Sequence, residues 1–311
     1  MKHTVLSLLV TGLAIAGIAS AKPLSATLTD TGGKPIAGFI VSADATGVKI
    51  SPSPTGGSSR VVAHTDISEI QFNETPEGWP EALQFYNDGD FVEAERHFSV
   101  LADELKNIGM IKDQYGAMAR YYQIMSLKEN GKLSALATAL SGLRTAGISL
   151  SDFYIGKLKS LKPWAAAGKE DWDGVLTAVA EYEDPKPNRP RTPFRSDLSG
   201  SLIAEMSYLR GLAKAKKGDK EGGLEDLYRA LTLNNGSDSS LTDKAINAAL
   251  KELENPADDL AKREAFALAT YYKDAIGGGT IDNAYKQLLT PPPAIEKPEE
   301  EKEAPAEAEP K

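Results

Sequence analysis

The sequence predicts a mostly α chain with a small all-β, barrel-like domain at its front, the two lying as separate domains. Two observations predict it. Residues 22–73 are rich in β-branched side chains and are broken by turn formers every few positions. From residue 75 to residue 290, apolar residues recur at helical spacing with glycine turns between the runs. Grouped by those turns, the helical part comes to about five helix pairs stacked as an α-solenoid.

The chain opens with Lys2, an apolar run over residues 5–18 interrupted only by Ser7 and Thr11, and then Ala19-Ser20-Ala21. That order of a positive start, an apolar middle and small residues is the pattern of a cleavable secretory signal. It predicts a cut after Ala21 and a protein that works in the periplasm or outside the cell. The run is shorter than the roughly 20 residues a membrane-spanning helix needs. The chain has no cysteine, which excludes a lipid-anchored cysteine, disulfides, thiolate catalysis and Cys-ligated zinc.

The β zone reads strand by strand. Residues 26–29 form a short strand and Gly32-Gly33-Lys34-Pro35 a turn. Residues 36–43 form a second strand, closed by the turn Asp44-Ala45-Thr46-Gly47. Val48-Lys49-Ile50 alternates as a strand does, residues 52–59 are a Gly/Ser/Pro loop, and residues 60–63 return as a strand. Thr65 or Asp66 caps a single helical turn, after which Ile70 and Phe72 share one face of a last strand. This zone resembles the SH3-like or Sm-like barrels at the front of exported bacterial proteins, which implies a docking or packing module.

The helical zone opens on Trp79, Ala82, Phe85, Tyr86, the pair Gly89-Asp90, Phe91, Ala94 and Phe98: a helix, a glycine turn and a second helix. Ala82 and Ala94 fall where the two helices cross closely, and the three phenylalanines fill the seam. A second copy runs from Tyr208 through Gly211, Gly218-Asp219, Gly223 and Leu227 to Ala230. Weaker units follow the same plan. Ile124, Gly131, Leu133, Leu136 and Leu140 make one; Trp172, Val175 and Val179, with Leu158 and Leu161 on the preceding helix, make another. Tyr272, Gly279, Ile281, Ala284 and Leu288 make the last, preceded by a helix over residues 241–253.

The two good copies resemble tetratricopeptide (TPR) repeats, although Lys106 stands where that family favours proline. The resemblance implies a curved stack whose groove, lined by the first helix of each unit, binds a peptide or protein. On that register the groove-facing residues are Tyr86, Asn87, Tyr121, Lys128, Tyr208 and Lys216.

Residues 291–311 hold six prolines, seven glutamates and three lysines with Ile295 as the one large apolar side chain, a composition that predicts disorder. Beyond the signal, 34 of the 35 Lys+Arg (Lys2 excepted) stand against 44 Asp+Glu, a formal charge of −10. Such a surface repels phosphate backbones, so nucleic acid is excluded as a partner, and an anionic membrane surface is disfavoured. One local reversal of charge stands out: Lys186, Arg189, Arg191 and Arg195, laced with prolines, form either an inter-repeat crossover or a contact for an acidic partner or anionic glycan.

Chemistry is thinly represented. Apart from His3 in the signal, the histidines are His64 and His97, in different zones, and there is no phosphate loop or nucleophile elbow. Asp171-Trp172-Asp173-Gly174 resembles part of a calcium loop, but Lys169 and Ala180 stand where its first and last ligands belong. No metal, cofactor or catalytic residue is expected. The reading is a non-enzymatic adaptor of the cell envelope. A structural subunit of a larger envelope complex, or a glycan-binding or carboxylate-based envelope enzyme, are the alternatives.

Overall fold

The computed structural model describes residues 22–55, 57–143, 147–185, 193–234, 238–256, 258–276 and 281–293. The predicted signal, most of the predicted tail, Gly279 and the cations Lys186, Arg189 and Arg191 lie outside the described residues. Among the described residues there are five β-strands, all antiparallel, and eleven α-helices, and no helix is long and apolar enough to cross a membrane.

The strands come first: β1 (Leu24–Asp30), β2 (Pro35–Asp44), β3 (Gly47–Ser51), β4 (Arg60–Val62) and β5 (Ile67–Phe72). They form one sheet in the order β4-β3-β2-β1-β5. Turn chemistry fixes the register. The Asp30 carboxylate accepts from the backbone N–H of Gly32 and Lys34, which closes the β1–β2 turn and pairs Thr29 with Pro35. Asp44 accepts from the backbone N–H and hydroxyl of Thr46, closing a two-residue turn that pairs Asp44 with Gly47. The predicted helical turn is a 3-10 turn over His64–Asp66, directly before β5. Leu24, Ala26 and Leu28 alternate on the buried face of β1, joined by Ile40, Val48 and Ile50.

The helices are α1 (Trp79–Asn87), α2 (Phe91–Glu104), α3 (Tyr115–Glu129), α4 (Leu133–Gly142), α5 (Asp152–Lys159), α6 (Lys162–Ala167), α7 (Trp172–Ala180), α8 (Gly200–Lys216), α9 (Lys220–Asn234), α10 (Ser239–Glu252) and α11 (Asp259–Tyr271). The two strong helix–glycine–helix copies form as expected. Gly89 (φ 79°) and Gly218 (φ 91°) take the left-handed conformation that ends α1 and α8 at no steric cost. The aspartate after each then accepts from a backbone N–H in the first turn of the next helix: Asp90 from Glu93 and Asp219 from Gly222. Ala82 and Ala94 are fully buried, as the close crossing of α1 and α2 requires. In the second copy, a Cβ on Gly211 would lie 2.8 Å from the Gly223 carbonyl oxygen, so the backbones of α8 and α9 touch there.

Two weaker units depart from the prediction. Leu158 and Leu161 do not share a helix: α5 stops at Lys159, and Leu161 caps α6. Pro163 is the reason, because proline lacks a backbone N–H and fits only the first turn of a helix. The last unit is not a second α-helical pair. After α11 comes a π-type turn over Tyr272–Ile276, and Ala284 and Leu288 lie on a 3-10 helix (Asn283–Leu289). Leu288 still reaches the core, packing with Ile246, Leu250, Leu253, Ala265 and Ala269.

The chain groups into two compact units, divided between Lys169 and Glu170. The division does not fall at residues 73–75, where the composition changes. Leu24 and Ile40 of the sheet meet Leu105 and Ile108 after α2, and the Phe72 ring meets Tyr115 edge-on at 5.2 Å. These contacts tie the β zone into the first unit with α1–α6. The second unit holds α7–α11.

Candidate functional site: a groove beside an edge strand

β5 is at one end of the strand order, so among the described residues only its β1 side is paired. In an antiparallel pair every second residue turns its N–H and C=O away from the partner strand. β5 therefore presents backbone donors and acceptors outward. It is also bulged. Thr29 pairs with Glu69 but Asp30 pairs with Ile67, which leaves Ser68 as the extra residue. The Ser68 hydroxyl is 3.0 Å from the carbonyl oxygens of both Thr29 and Asp30, to which it donates. The bulge changes the spacing of the half-buried isoleucines to Ile67 and Ile70, with Ser68 and Glu69 exposed between them.

The segment between α2 and α3 lines the same groove as β5. Ile111 is buried and anchors it, while Lys112 is exposed. The segment is clamped to the chain after α4: Asp113 N–H donates to the Ser149 carbonyl (3.1 Å) and Ser149 N–H to the Gly109 carbonyl (2.9 Å). The Ser151 N–H donates to the Asp113 carboxylate (2.7 Å). Asp113 has φ 54°, a conformation costly for a non-glycine residue and held here by those bonds. Between the two walls is an open groove of about 630 Å³. β5 and His64 line one side, and Met110, Lys112, Gln114 and Ser149 line the other. His64 is fixed by a 2.7 Å hydrogen bond between its Nε2 and the Asp44 carbonyl oxygen.

The residues predicted to face a helical groove are placed differently. Tyr121, Lys128 and Tyr208 are all buried, so none of the three presents an open surface. Tyr86 is half-buried, and only Asn87 and Lys216 are exposed. The reason for Tyr86 and Tyr121 is a ladder of rings. Phe72, Tyr115, Trp79, Phe98 and Tyr122 follow edge-on or stacked, and Tyr122 meets both Tyr86 and Tyr121, with centroids 4.9–5.6 Å apart. Aromatic pairs of this kind stabilise beyond the area they bury. Burial pushes both the Tyr86 and the Tyr121 phenol up to about 12. Lys128 lies 2.8 Å from Glu129, with its ammonium 5.3 Å from the Trp164 ring centroid. Tyr86, Asn87, Tyr121 and Lys128 belong to the first unit, and Tyr208 and Lys216 to the second. Of the predicted anion contact, Arg195 is described, and it is paired with Asp197 at 3.1 Å.

The second unit holds a charge cluster that the sequence reading did not find. Asp226, fully buried on α9, accepts from Arg210 Nε (2.7 Å) and Nη2 (2.6 Å), and pairs with Lys214 (2.9 Å) and Arg229. Arg210 also pairs with Glu183, and its guanidinium sits 4.8 Å from the Phe194 ring centroid. Glu183 and Phe194 face each other as an antiparallel bridge. Burial alone would raise the Asp226 carboxyl. The hydrogen bonds from Arg210 and Lys214 outweigh it and hold the group below its ordinary value. This cluster is fully paired and ties α8 to α9; it presents no open chemistry. Asp171, of the calcium-loop-like run, is the cap of α7 and accepts from the Gly174 N–H.

His97 packs against Phe85 (5.1 Å between ring centroids), near Glu81 and Glu93. Among the described residues no group of three or more His, Cys, Asp or Glu is placed to hold a metal ion. No protein-family model matches the sequence, and no curated protein matches it significantly.

Proposed function

We propose that this chain is an exported, non-enzymatic adaptor of the cell envelope that holds an extended segment of a partner protein beside β5. One observation carries the reading: β5, an end strand of the sheet among the described residues, lines a groove of about 630 Å³ together with a segment held by long-range hydrogen bonds. An edge strand gives a peptide main-chain hydrogen bonds without regard to sequence. Ile67, Ile70 and Met110 supply apolar contact, and Glu69 and Lys112 supply charge on opposite sides. The bulge at Ser68 shortens the straight part of the edge, so the groove suits one short segment rather than sheet-to-sheet association.

The finer fold reading belongs to the same proposal. The strand order, with a 3-10 turn directly before the last strand, supports an SH3-like β-domain. The Gly-Asp turns and the small residues at the α1/α2 and α8/α9 crossings support TPR-like repeats. The order of residues 1–21 supports export, with cleavage after Ala21 and a periplasmic or secreted location. The acidic charge supports a protein partner over nucleic acid.

The test is peptide selection from a random library on the whole chain, followed by amide mapping of the selected peptides. Binders are expected to slow exchange of the amides at residues 67–70. Met110→Trp, which narrows the groove, is expected to weaken them at least about tenfold. Selected peptides that bind without touching residues 67–70 or 110–114 refute the site.

A further inference from the structure

Hydrogen bonds at the two ends of β5 fix which way its backbone groups turn. The Asn73 N–H donates to the Ser25 carbonyl (2.9 Å), and the Thr31 N–H donates to the Asp66 carbonyl (3.0 Å). In an antiparallel ladder, hydrogen-bonded pairs recur every second residue. Counted from Ser25 and Asn73, the next such pairs are Thr27 with Gln71 and Thr29 with Glu69. Ile70 and Phe72 therefore turn their N–H and C=O away from β1. The register shifts between Thr29 and Asp30, so this regular stretch runs from Phe72 back to Glu69 and stops at the bulge.

Side chains follow the same alternation. Ile70 stands opposite Leu28 and Phe72 opposite Ala26, both fully buried, and directly opposite residues share a face. Ile70 and Phe72 thus lie on the core-facing side of the sheet, while Glu69 and Gln71 lie on the other side and are exposed. Glu69 lines the groove, and among the described residues its carboxylate has no ion-pair or hydrogen-bond partner. Lys112 lines the same groove without pairing with it. A chain added on the outward side of β5 continues the alternation. Its residues opposite Phe72 and Ile70 meet apolar side chains, and its residue opposite Glu69 meets an uncompensated negative charge.

We propose, on the footing that this groove is the binding site, that the bound segment pairs antiparallel with residues 69–72 and reads apolar–polar–apolar–basic from its N-terminus, its basic residue opposite Glu69. Every strand pair in this sheet is antiparallel, and that ladder is the slightly more stable kind per residue. Opposite charges directly across a sheet attract and like charges repel, so Glu69 sets the charge of the partner at that position.

The experiment selects binders from a displayed library of peptides with four random residues between Gly-Ser flanks. The baits are the full-length chain, its Glu69→Lys variant and its Glu221→Lys variant. Glu221 is exposed on α9 in the second unit, so its replacement makes the same change in net charge elsewhere. The native chain is expected to select Lys or Arg after the second apolar residue. Replacing that residue by Glu in the best binder is expected to weaken it at least about threefold. Glu69→Lys is expected to select Asp or Glu there instead, and Glu221→Lys to select as the native chain does. In amide exchange, the bound peptide is expected to slow Ile70 and Phe72 and to leave Gln71, already bonded to β1, unchanged. Binders that slow exchange at residues 67–70 without any charge preference overturn the register and leave the groove standing. So does a preference that survives Glu69→Lys or disappears in Glu221→Lys. A basic residue on the N-terminal side of the apolar pair overturns the antiparallel direction. Binders that touch neither residues 67–70 nor residues 110–114 overturn the groove itself, and this selectivity with it.

Discussion

Replacing Asp226 with asparagine removes one charge and almost no volume, so it isolates the electrostatics of the α8–α9 contact. In the native protein the carboxylate is fully buried and receives Arg210 at 2.6 and 2.7 Å, Lys214 at 2.9 Å and Arg229. Asparagine leaves Arg210, itself only 8% exposed, with Glu183 as its remaining carboxylate. Breaking a buried pair by removing one partner costs about 3–5 kcal/mol. Lys214 and Arg229 have some access to solvent and relax, which favours the lower end of that range. The chain has two compact units, so a single global unfolding free energy is not defined. The assay is therefore native-state hydrogen exchange at amides of α8 and α9. A loss of about 3 kcal/mol speeds their exchange by on the order of a hundredfold. Asp226→Leu combined with Arg210→Met removes both charges of the most buried pair and is expected to recover much of the loss. The pH dependence has a definite sign. The folded carboxyl titrates below its ordinary value, so its contribution is complete above pH 3.8 and is lost as the pH falls below that. Exchange in α8 and α9 that Asp226→Asn changes by less than about tenfold would refute the reasoning.

Three further outcomes follow from particular contacts. Gly211→Ala puts a methyl group 2.8 Å from the Gly223 carbonyl oxygen and 3.0 Å from Leu227, and is expected to cost about 1–3 kcal/mol in the same exchange assay. Ser207 is buried with a hydroxyl that has no hydrogen-bond partner, so Ser207→Ala is expected to be neutral or to stabilise by about 1 kcal/mol. Ultraviolet titration of Tyr86 and Tyr121, each isolated by difference against its phenylalanine variant, is expected to show ionisation near 12 rather than 10. Because the folded values are raised, these phenols favour the folded state fully below pH 10 and progressively less as the pH rises from 10 to 12.

The local pattern of residues determined the strands, their turns and the two strong helical hairpins. Asp30 and Asp44 close turns through their own side chains, and Gly89-Asp90 and Gly218-Asp219 end one helix and cap the next, all within a few residues of chain. The pairing of Ala82 with Ala94 and of Gly211 with Gly223 was legible for the same reason: only small residues allow two backbones to touch. The broken helix at Pro163 was also written in the sequence, and the apolar spacing of Leu158 and Leu161 masked it.

What the tertiary structure decided depends on partners far apart in the chain. Helical periodicity alone cannot say whether a tyrosine on the apolar stripe faces a groove or a ring ladder, and Tyr121 and Tyr208 proved buried. The groove beside β5 requires the bonds between Gly109 or Asp113 and Ser149 or Ser151, and the latter bond spans 38 residues. Asp226 meets Arg210 across 16 residues, and the sequence alone gave no reason to choose that aspartate from many. Side-chain chemistry acts over a few ångströms, so sequence determines what is adjacent along a turn or helix face, and folding decides which distant groups share a site.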